Sequence, residues 1–566
     1  MRNKQAITPY YGMALIALLM IFAFGCTNIS GSDVESKKIA LSEKEMETSV
    51  KTVKSASDAG VSKDSGIQDS GTDPQMDGGT SAQKLFSDEL IVLDEKSEEA
   101  KVIKKFYSGP EVKRWRVVKV NLDALKSKNL MVNFFGDLNI GIGRYKYKSE
   151  NIRTGSWFGN IKDSYTSAVF TVLDGYVHGS VWVFTEQYWI RSISEDYHIV
   201  LDIDESKLKE HESHMDENSS YIRKHDASVA SDKKEKIVKS GSKSSGEITR
   251  ILIVFANNAK AWVETQLPTG QNSMELQART YIDEMNLALD NSDVTHDVEL
   301  ARVYKTNYSE STSYVTDRNQ FMDPDDDIMD EIHDIREYVG ADICVLMRQN
   351  DAGPPGGCAA VIGAEDADEA FASATASWGA LHVAHEVGHL FWCRHDPADD
   401  PNGTYNHGYK NEGPTLPCHK PGNPFVAANP YRTIMATACD AGCPKIIYYS
   451  NVTQTPCNCI VGVIGVANNA LAINNWAPDI EDFYLLPSWI YLADDDEIKE
   501  DEYVFYQATG SISNYQPPSY YNDFTVKSGG RAYFEADSIT FAKGFHAESG
   551  SHVHAGEDID KYEDEN

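Results

Sequence analysis

Hydrophobic and polar residues alternate along residues 85–204 with the period of two that is typical of β-strands. Two of the alternating segments flank Asp174-Gly175, a dipeptide favoured in the tight turns of β-hairpins. A second pair of alternating segments flanks Glu195-Asp196. This pattern predicts a mostly antiparallel β domain.

The pattern changes at residue 248, where apolar runs and helical periodicity take over. The run Ile251–Phe255 is apolar on both faces, which is typical of a central strand. Asn272 and Glu275 have the spacing of a helix capping box, and the apolar residues after them recur on one helical face. This alternation of strands and helices predicts an α/β domain over 248–485. Its further predicted elements are a strand at 298–304, a helix at 325–338 with acidic residues at its start, and a strand at 341–347.

Residues 486–566 contain a short repeat. The sequence Lys-Ser-Gly-Gly-Arg-Ala-Tyr-Phe, which begins at residue 527, is echoed by Glu-Ser-Gly-Ser-His-Val-His-Ala, which begins at residue 548. Such an echo predicts a small all-β module of stacked short strands. His546, His552 and His554 are candidate metal ligands, but exposed histidines on a β-repeat are the favoured interpretation.

Two segments are too polar to bury a core of their own. Residues 27–84 contain no Phe, Tyr or Trp, and they are rich in Ser, Asp, Lys and Gly. The apolar area available there cannot offset the entropy lost on ordering, so we expect a disordered tether. Residues 205–247 are similarly polar, and we expect a cleavable linker between the β domain at 85–204 and the α/β domain.

The first 26 residues resemble an export signal. Arg2 and Lys4 form a positive start, and the apolar stretch at 14–24 is too short to span a bilayer comfortably. The stretch ends in Ala-Phe-Gly-Cys, which is similar to a bacterial lipoprotein cleavage site and makes Cys26 a candidate for lipidation. We therefore expect an exported protein, held at the cell envelope by lipid on Cys26 or secreted after ordinary signal cleavage.

The net charge of −34, from 52 Lys+Arg and 86 Asp+Glu, argues against nucleic-acid binding because a carboxylate surplus repels phosphate. Eight of the nine cysteines lie between residues 344 and 459. An even number in an exported chain favours disulfides, although the pairing cannot be deduced from sequence. A zinc site built from Cys439, Cys443, Cys457 and Cys459 is the less favoured alternative.

The candidate chemistry lies in residues 381–396, Leu-His-Val-Ala-His-Glu-Val-Gly-His-Leu-Phe-Trp-Cys-Arg-His-Asp. His385 and His389 are four residues apart, so one face of a helix can present both rings to a single metal ion. Glu386 is displaced by about 100° around such a helix, which keeps it off the metal but within reach of a water molecule. His395 can supply a third imidazole after the chain leaves the helix. Three histidines leave the fourth position open, as in catalytic zinc sites.

This His-Glu-x-x-His motif, followed by His395-Asp396, resembles that of the metzincin zinc peptidases. The resemblance is to the reprolysin-like branch and to bacterial peptidyl-Asp metalloendopeptidases in particular. Downstream, Tyr431-Arg-Thr-Ile-Met435 resembles the Met-turn, the hairpin that places a Met beneath the zinc. The segment Cys443–Asn451 resembles the stretch that shapes the substrate pocket in that family.

The resemblance covers about 248–485 and implies a metzincin catalytic domain with a mixed twisted sheet and an active-site helix. It implies a zinc endopeptidase with one Zn²⁺ held by the three histidines and with Glu386 as general base and acid. Residues 85–204 are similar to the propeptides of this group, which implies a zymogen. The implied partners are protein or peptide substrates, and we expect a monomer.

The resemblance also implies roles for residues around the zinc. An extended peptide substrate would pair with an edge strand of the sheet, and Cys358–Gly363 is the candidate edge. Asp396 is expected to orient the turn that carries His395, and Met435 is expected to have a structural role beneath the zinc.

One position departs from the family pattern. The family usually has Gly three residues after the second His, where this chain has Trp392. A Trp in the left-handed conformation costs about 1–2 kcal/mol, so either the fold tolerates that strain or the turn is reshaped and His395 approaches differently. His382, one turn before His385, is a candidate substitute ligand, but a role as a buried or supporting histidine is favoured.

Alternatives to this interpretation stay open at the level of sequence. A non-catalytic surface lipoprotein could use a zincin-like fold and the C-terminal module for binding or adhesion, although the intact Glu386 favours an enzyme. A gluzincin with a downstream Glu ligand would leave His395 dispensable. Latency by a cysteine thiolate is excluded because the propeptide-like region has no Cys, and His211, His214 or Asp216 are weaker candidates to block the zinc.

A structural Ca²⁺ is not indicated by the sequence. The acidic stretch Asp323-Pro-Asp-Asp-Asp lacks the Gly and the terminal Glu spacing of an EF-hand. Carboxylates that complement the positive end of a helix are the favoured interpretation.

Overall fold

The computed structural model describes residues 82–566 with gaps. The described residues belong to one compact unit, Thr80–Asn566. The predicted signal peptide, the lipidation site and most of the predicted tether and linker lie outside them. No helix among the described residues is long and apolar enough to span a membrane. The gaps are 152, 162–163, 165, 184, 208–210, 213–247, 267–272, 350–355, 377–379, 413–414, 421–422, 429, 440–441, 455–458, 493–495, 517–519, 557–561 and 565–566.

The first part of the described chain forms a ten-stranded sheet that is antiparallel except where β1 meets β3. Its strands are β1 (Gln83–Lys84), β2 (Val112–Val118), β3 (Asn129–Phe135), β4 (Leu138–Asn151), β5 (Thr154–Asn160), β6 (Thr166–Leu173), β7 (Tyr176–Val183), β8 (Glu186–Ser192), β9 (His198–Ile203) and β31 (Tyr562–Asp564). The strand order is β1-β3-β4-β5-β6-β7-β8-β9-β2, and β31, from the end of the chain, pairs with β4. Asp174 and Gly175 both have positive φ angles, 52° and 93°, as a type I′ turn requires, which confirms the predicted hairpin.

A second, nine-stranded mixed sheet forms the core of the α/β region. Its strands are β10 (His211–Glu212), β11 (Ile248–Phe255), β12 (Asp297–Lys305), β13 (Ile343–Arg348), β14 (Gly356–Ala359), β15 (Phe371–Thr375), β22 (Tyr503–Gln507), β27 (Arg531–Glu535) and β30 (His552–Gly556). The order is β10-β14-β15-β13-β11-β12-β22-β27-β30. Ile251–Phe255 lies in the interior strand β11 and is fully buried, which confirms the predicted central strand.

The described residues form seven α-helices. They are α1 (Glu98–Phe106), α2 (Asn257–Gln266), α3 (Ser273–Asn291), α4 (Tyr314–Met322), α5 (Glu331–Val339), α6 (Ala380–Leu390) and α7 (Asn469–Ile480). Helix α3 is buried on almost every side because it contacts β12 of its own domain and also β6 and β7 of the first sheet. Its predicted apolar face is buried, and so are the carboxylates Asp283 and Glu284 on the opposite side.

The predicted helix at 325–338 begins later, at Glu331. The Asp323 side chain accepts a hydrogen bond from the Asp325 amide, and the Asp326 side chain accepts one from the Ile328 amide. Asp side chains that bond nearby amides in this way stabilise turns in competition with a helix. The acidic stretch is therefore a turn before α5 and not its first helical turn, so the predicted start of the helix was wrong.

Residues 489–556 wind into a three-sided parallel β-helix. Two of its faces are β20 (Trp489–Tyr491) with β23 (Ser511–Ser513) and β28 (Ser538–Thr540), and β21 (Asp496–Ile498) with β26 (Phe524–Val526) and β29 (Phe545–Ala547). The third face is β22-β27-β30, which continues the α/β sheet because β22 pairs with β12. The register sets Arg531 against His552 and Tyr533 against His554, the positions that the sequence repeat aligns.

The other strands are short. They are β16 (Lys410–Asn411), β17 (Thr415–Lys420), β18 (Asn423–Ala428), β19 (Tyr431–Arg432), β24 (Tyr515–Gln516) and β25 (Tyr520–Tyr521).

Candidate metal centre and active site

The centre of the site is the second half of helix α6. His385 and His389 lie one turn apart on the same face of this helix, with ring centroids 4.8 Å apart. The end of the helix is fixed by a neighbouring loop, where the amide of Gly363 donates to the His389 carbonyl and the amide of Ala364 donates to the Leu390 carbonyl. These bonds satisfy helix carbonyls that would otherwise lack partners.

His395 reaches the same point from the turn after the helix. Its Nε2 atom lies 3.1 Å from Nε2 of His385 and 3.2 Å from Nε2 of His389. All three rings are buried, at 7 % exposure or less. Among the described residues, these three are the one group of His, Cys, Asp and Glu side chains arranged to hold a metal ion.

Each ring is oriented by an oxygen on its other nitrogen. Nδ1 of His385 lies 2.9 Å from the Ile434 carbonyl, and Nδ1 of His389 lies 2.8 Å from the Cys393 carbonyl. Nδ1 of His395 lies 2.7 Å from Oδ2 of Asp399. Because these oxygens only accept hydrogen bonds, each Nδ1 carries the proton and each Nε2 presents a lone pair to the shared centre.

Burial favours the neutral form of two of the rings, His385 and His389. Burial, with a smaller contribution from the neighbouring rings, lowers the pKa of His385 well below its usual value. Burial also lowers the pKa of His389 to about 3. Neutral histidines are the form that binds metal ions.

The two separations at His395 match those of ligands on one zinc ion, and the ligand atoms of all three histidines lie within 4.8 Å of one another. Zinc binds histidine nitrogen at about 2.0–2.1 Å in tetrahedral geometry, which separates ligand nitrogens by about 3.3 Å. The separations of 3.1 and 3.2 Å at His395 are close to this value. Three lone pairs facing one another without a proton between them repel, so the donor set suits a cation.

Glu386 lies beside the metal-binding face and is buried at 6 % exposure. Its side chain packs against Gly357 of β14, where an added Cβ would come within 2.5 Å of the Glu386 carboxylate. Gly357 therefore leaves the space that this carboxylate occupies. The sequence placed the candidate edge strand at Cys358–Gly363. The structure has strand β14 at Gly356–Ala359, with β10 outside it, and the loop after β14 reaches the end of α6 at Gly363.

Trp392 adopts the left-handed conformation that the family pattern assigns to Gly, with φ of 69°. Its indole stacks on Trp476 at 5.3 Å and meets Tyr405 edge-on at 5.5 Å, and its carbonyl accepts a hydrogen bond from Asn406. The fold thus tolerates the strained backbone, and His395 is not displaced. The turn also brings the Cys393 carbonyl onto His389.

Met435 lies under the helix. An added Cβ on Gly388 would come within 2.6 Å of the Met435 sulfur, so the helix and the Met-turn approach closely because residue 388 is Gly. Met435 is fully buried, and the carbonyl of its neighbour Ile434 holds His385. The Met-turn therefore acts on the site through its backbone.

Asp396 ties the turn that carries His395 to the chain beyond the Met-turn. Its carboxylate accepts hydrogen bonds from the amide and hydroxyl of Thr437 and pairs with Lys410 at 2.8 Å. Burial raises the pKa of Asp396, but the bonds from Lys410 and Thr437 outweigh burial and lower it overall. Asp396 is thus ionised and holds the turn that carries His395 in place.

Sequence reasoning missed two residues near the site. Asp399, which holds His395, is one of several carboxylates in its loop, and its spacing of four from His395 was the available signal. Burial raises the pKa of Tyr314, and the nearby Glu386 carboxylate raises it further. The Tyr314 hydroxyl lies 2.8 Å from Oγ1 of Thr375. Tyr314 comes from a helix about 70 residues earlier, so no sequence pattern connects it to the motif.

The less favoured histidine ligands stay outside this group. His382 is buried but is not part of the three-histidine cluster. His552 is half exposed, and His554 stacks on Tyr533. Among the described residues, the candidate ligands in the C-terminal module do not converge on one point.

The cysteines divide into two classes. Cys439 and Cys443 form a disulfide, and Cys459 is also disulfide-bonded, so a zinc site from these residues does not form. The side chains of Cys418 and Cys457 lie outside the described residues.

Three further cysteines, Cys344, Cys358 and Cys393, are buried and form no disulfide. For these three, the expectation of disulfides was wrong. Burial raises the pKa of Cys344 to about 11 and that of Cys393 well above its usual value. They behave as small apolar core residues.

The connector after the first sheet runs alongside the site. Strand β10 pairs in parallel with β14, which places His211 opposite Gly356 and Glu212 opposite Gly357. Earlier in the connector, the buried Glu205 carboxylate accepts a hydrogen bond from the Lys445 amide and lies 3.8 Å from Arg432. The connector is thus held at both the edge strand and the segment after the Met-turn. His214 and Asp216 lie outside the described residues.

Comparison with known proteins agrees with this architecture. The model of the reprolysin-like metallopeptidase family M12B matches residues 276–396. The peptidyl-Asp metalloendopeptidase of Xanthomonas campestris pv. campestris is 28% identical over 58% of this chain and 75% of its own length. Its counterpart in Stenotrophomonas maltophilia is 29% identical over 61% of this chain and 77% of its own length. That of Pseudomonas fragi is 31% identical over 27% of this chain and 74% of its own length.

The chain therefore belongs to the family of the bacterial peptidyl-Asp metalloendopeptidases, and it contains a reprolysin-like M12B metallopeptidase domain. It is a zinc metalloendopeptidase, and its substrates are proteins or peptides.

We expect Trp392→Gly to destabilise the protein although it relieves the left-handed strain. The relief contributes about 1–2 kcal/mol, whereas loss of a buried Trp costs about 3–5 kcal/mol. The free energy of unfolding should fall by about 1–4 kcal/mol in chemical denaturation. Trp489→Ala, at a side chain that is 67% exposed, is the control and should change it by less than about 0.5 kcal/mol. An unchanged or higher stability of Trp392→Gly would contradict the packing argument.

We expect Asp399→Ala to weaken zinc binding by about 10–100-fold, because the carboxylate fixes the tautomer and orientation of His395. Competition with a chromophoric chelator measures the affinity. Asp400→Ala is the matched control, since Asp400 lies in the same loop but its carboxylate pairs with Arg394. Equal affinities of the two variants would show that Asp399 does not hold the ring.

Proposed function

We propose that the protein hydrolyses peptide bonds at the centre formed by His385, His389 and His395, with Glu386 as general base and acid. The observation that carries this proposal is the convergence of three Nε2 lone pairs beside a buried carboxylate. A zinc ion held by the three histidines would supply a Lewis acid that acidifies water and polarises the scissile carbonyl.

Residues of this chain transfer the proton and orient the three histidine rings. Glu386 takes a proton from the attacking water on its carboxylate and later delivers that proton to the leaving amine. The oxygens of Ile434, Cys393 and Asp399 hold the rings in the tautomer that leaves each Nε2 free of a proton. Burial of the centre limits bulk water and strengthens these electrostatic interactions.

The substrate is proposed to add as an extended strand to β14. This strand lies next to Glu386, and its outer side already pairs with the extended backbone of β10, so an extended peptide can pair there in its place. Main-chain hydrogen bonds to the strand would hold the peptide while its side chains enter neighbouring pockets.

We expect Glu386→Ala to lower the hydrolysis rate by about 10²–10⁴-fold, because the general base is lost. The variant should still bind one equivalent of zinc, since the three ligands are unchanged. A generic protein substrate and metal analysis provide the two readouts, with connector-cleaved wild type as the reference. Turnover that survives the substitution would overturn the role of Glu386.

A second candidate function is a binding protein that uses the zincin-like fold and the β-helix for adhesion. The observation that favours it is the additional β-helix, which is a folded surface beyond the metal centre. Connector-cleaved wild type that binds zinc yet shows no chelator-sensitive hydrolysis of any protein or peptide would support this candidate instead.

We also propose that the connector keeps the enzyme latent. Strand β10 occupies the side of β14 where a substrate strand would pair, and Glu205 fastens the connector to Lys445 beyond the Met-turn. Blockage of the edge strand is therefore the proposed cause of latency, in place of a side chain on the metal.

We expect Glu205→Ala to raise the activity of the uncut chain, because the buried carboxylate no longer holds the connector near the site. Cleavage of a quenched fluorescent peptide measures the change, and connector-cleaved protein sets the upper limit. Glu195→Ala, at an exposed side chain that pairs with Arg153 in the first sheet, is the matched control and should leave activity unchanged. If Glu205→Ala stays as inactive as the uncut wild type, this contact does not maintain latency.

We further propose that the site favours an acidic side chain in its substrate. Burial and the neighbouring rings lower the pKa of His385, and Lys445 adds a smaller lowering. The Lys445 amide and the Arg432 guanidinium receive the Glu205 carboxylate, so a carboxylate is accommodated near Lys445. The relatives bear the name peptidyl-Asp metalloendopeptidase, which agrees with such a preference.

We expect a peptide library cleaved by connector-cut protein to be enriched in Asp or Glu next to the scissile bond, because a buried cation stabilises a carboxylate there. Lys445→Met should lower kcat/KM for acidic peptides by at least about tenfold while neutral peptides are affected less. Cleavage without enrichment for acidic residues would refute the preference but leave the peptidase assignment intact.

A further inference from the structure

The first sheet is held by more than the connector. Arg531 of the β-helix is 1 % exposed and contacts two other parts of the chain. Its Nε lies 2.9 Å from the carboxylate of Glu275 in α3, and its guanidinium pairs with Asp174 in the hairpin turn of the first sheet. One buried side chain thus joins the N-terminal domain, the catalytic domain and the C-terminal module.

Glu150, whose carboxylate is buried, also joins the same three parts of the chain. Glu150 of β4 is the residue from the first sheet, and its carboxylate is nearly inaccessible to solvent. It accepts hydrogen bonds from Arg279 of α3 and from the Tyr533 hydroxyl of the β-helix. Arg531 and Arg279 are therefore both paired with carboxylates of the first sheet, Asp174 and Glu150.

The end of the chain contributes backbone pairing. Strand β31 lies antiparallel to β4, with Tyr562 opposite Lys148 and Asp564 opposite Lys146. A strand that follows the β-helix thus completes the N-terminal sheet. None of these contacts passes through residues 213–247.

Apolar packing adds to the polar contacts. Phe158, Val169 and Trp182 of the first sheet are at most 2 % exposed and belong to the same hydrophobic cluster as the catalytic core. Asp283 of α3 accepts hydrogen bonds from Ser156 and Thr171 of the first sheet. An interface with a shared apolar core and satisfied polar groups resembles the interior of one protein more than a transient contact.

We propose that the N-terminal domain, residues 82–212, stays bound as a non-covalent subunit after the connector is cut, with residues 531–564 as its clamp. Cleavage leaves β10 attached to the chain on its N-terminal side only, so that β10 can leave β14 while the rest of the domain stays bound. The contacts at Arg531, Glu150 and β31 are made by folded elements that cleavage leaves intact. This proposal does not depend on peptidase activity.

The test uses the full chain with Glu386→Ala, so that its outcome is separate from the proposed function. A recognition site for a sequence-specific protease is inserted within 225–240, and the cut protein is analysed by size-exclusion chromatography over a dilution series. We expect the two fragments to co-elute at micromolar concentration. If the two fragments of the cut protein with an unmutated clamp elute separately, the proposal is wrong.

Two variants test the clamp in the same cut protein. Arg531→Met and truncation after residue 556, which removes β31, should each raise the dissociation constant of the fragments at least tenfold. Lys527→Met is the matched control, because Lys527 pairs with Glu497 and Glu548 within the β-helix and should leave the constant unchanged. Circular dichroism of the uncut variants checks folding, and the truncation decides the matter if Arg531→Met unfolds. A dissociation constant unchanged by the truncation would refute the clamp.

Discussion

Three histidine lone pairs directed at one buried point are the constraint on which the site depends. Nε2 of His395 lies 3.1–3.2 Å from the other two, a separation that is unfavourable without a shared cation. The tautomers that create this arrangement are set by oxygens from three places, namely the turn after α6, the Met-turn and the loop that contains Asp399. Helix, turn and Met-turn must therefore fold together before a metal ion can bind well.

Much of this architecture could be predicted because its signals are local. The strand at Ile251–Phe255 and the buried face of α3 follow from the hydrophobic pattern of their own residues. The hairpin turn at Asp174-Gly175 follows from that dipeptide alone. The histidine motif was equally local, since the spacing of four follows from helix geometry. The spacing from His395 to Met435 extended the prediction to the Met-turn.

What the sequence left open depends on residues far apart along the chain. Trp392 is accommodated by Trp476, more than 80 positions later, so its effect on His395 could not be deduced from the motif. The start of α5 was mispredicted because Asp side chains bond nearby amides, a competition that charge patterns do not reveal. The expectation of disulfides was wrong for Cys344, Cys358 and Cys393, because an even cysteine count carries no information about burial.

The continuity of β12 with β22 has a consequence for engineering the enzyme. A shortened chain that ended after α7 would lose β22, and β12 would become a free edge of the α/β sheet. Unpaired edge strands are templates on which molecules associate edge to edge, and the buried Val303 lies in this strand. The β-helix thus covers this edge of the sheet, and we expect a minimal catalytic fragment to need charged substitutions along β12 to stay in solution.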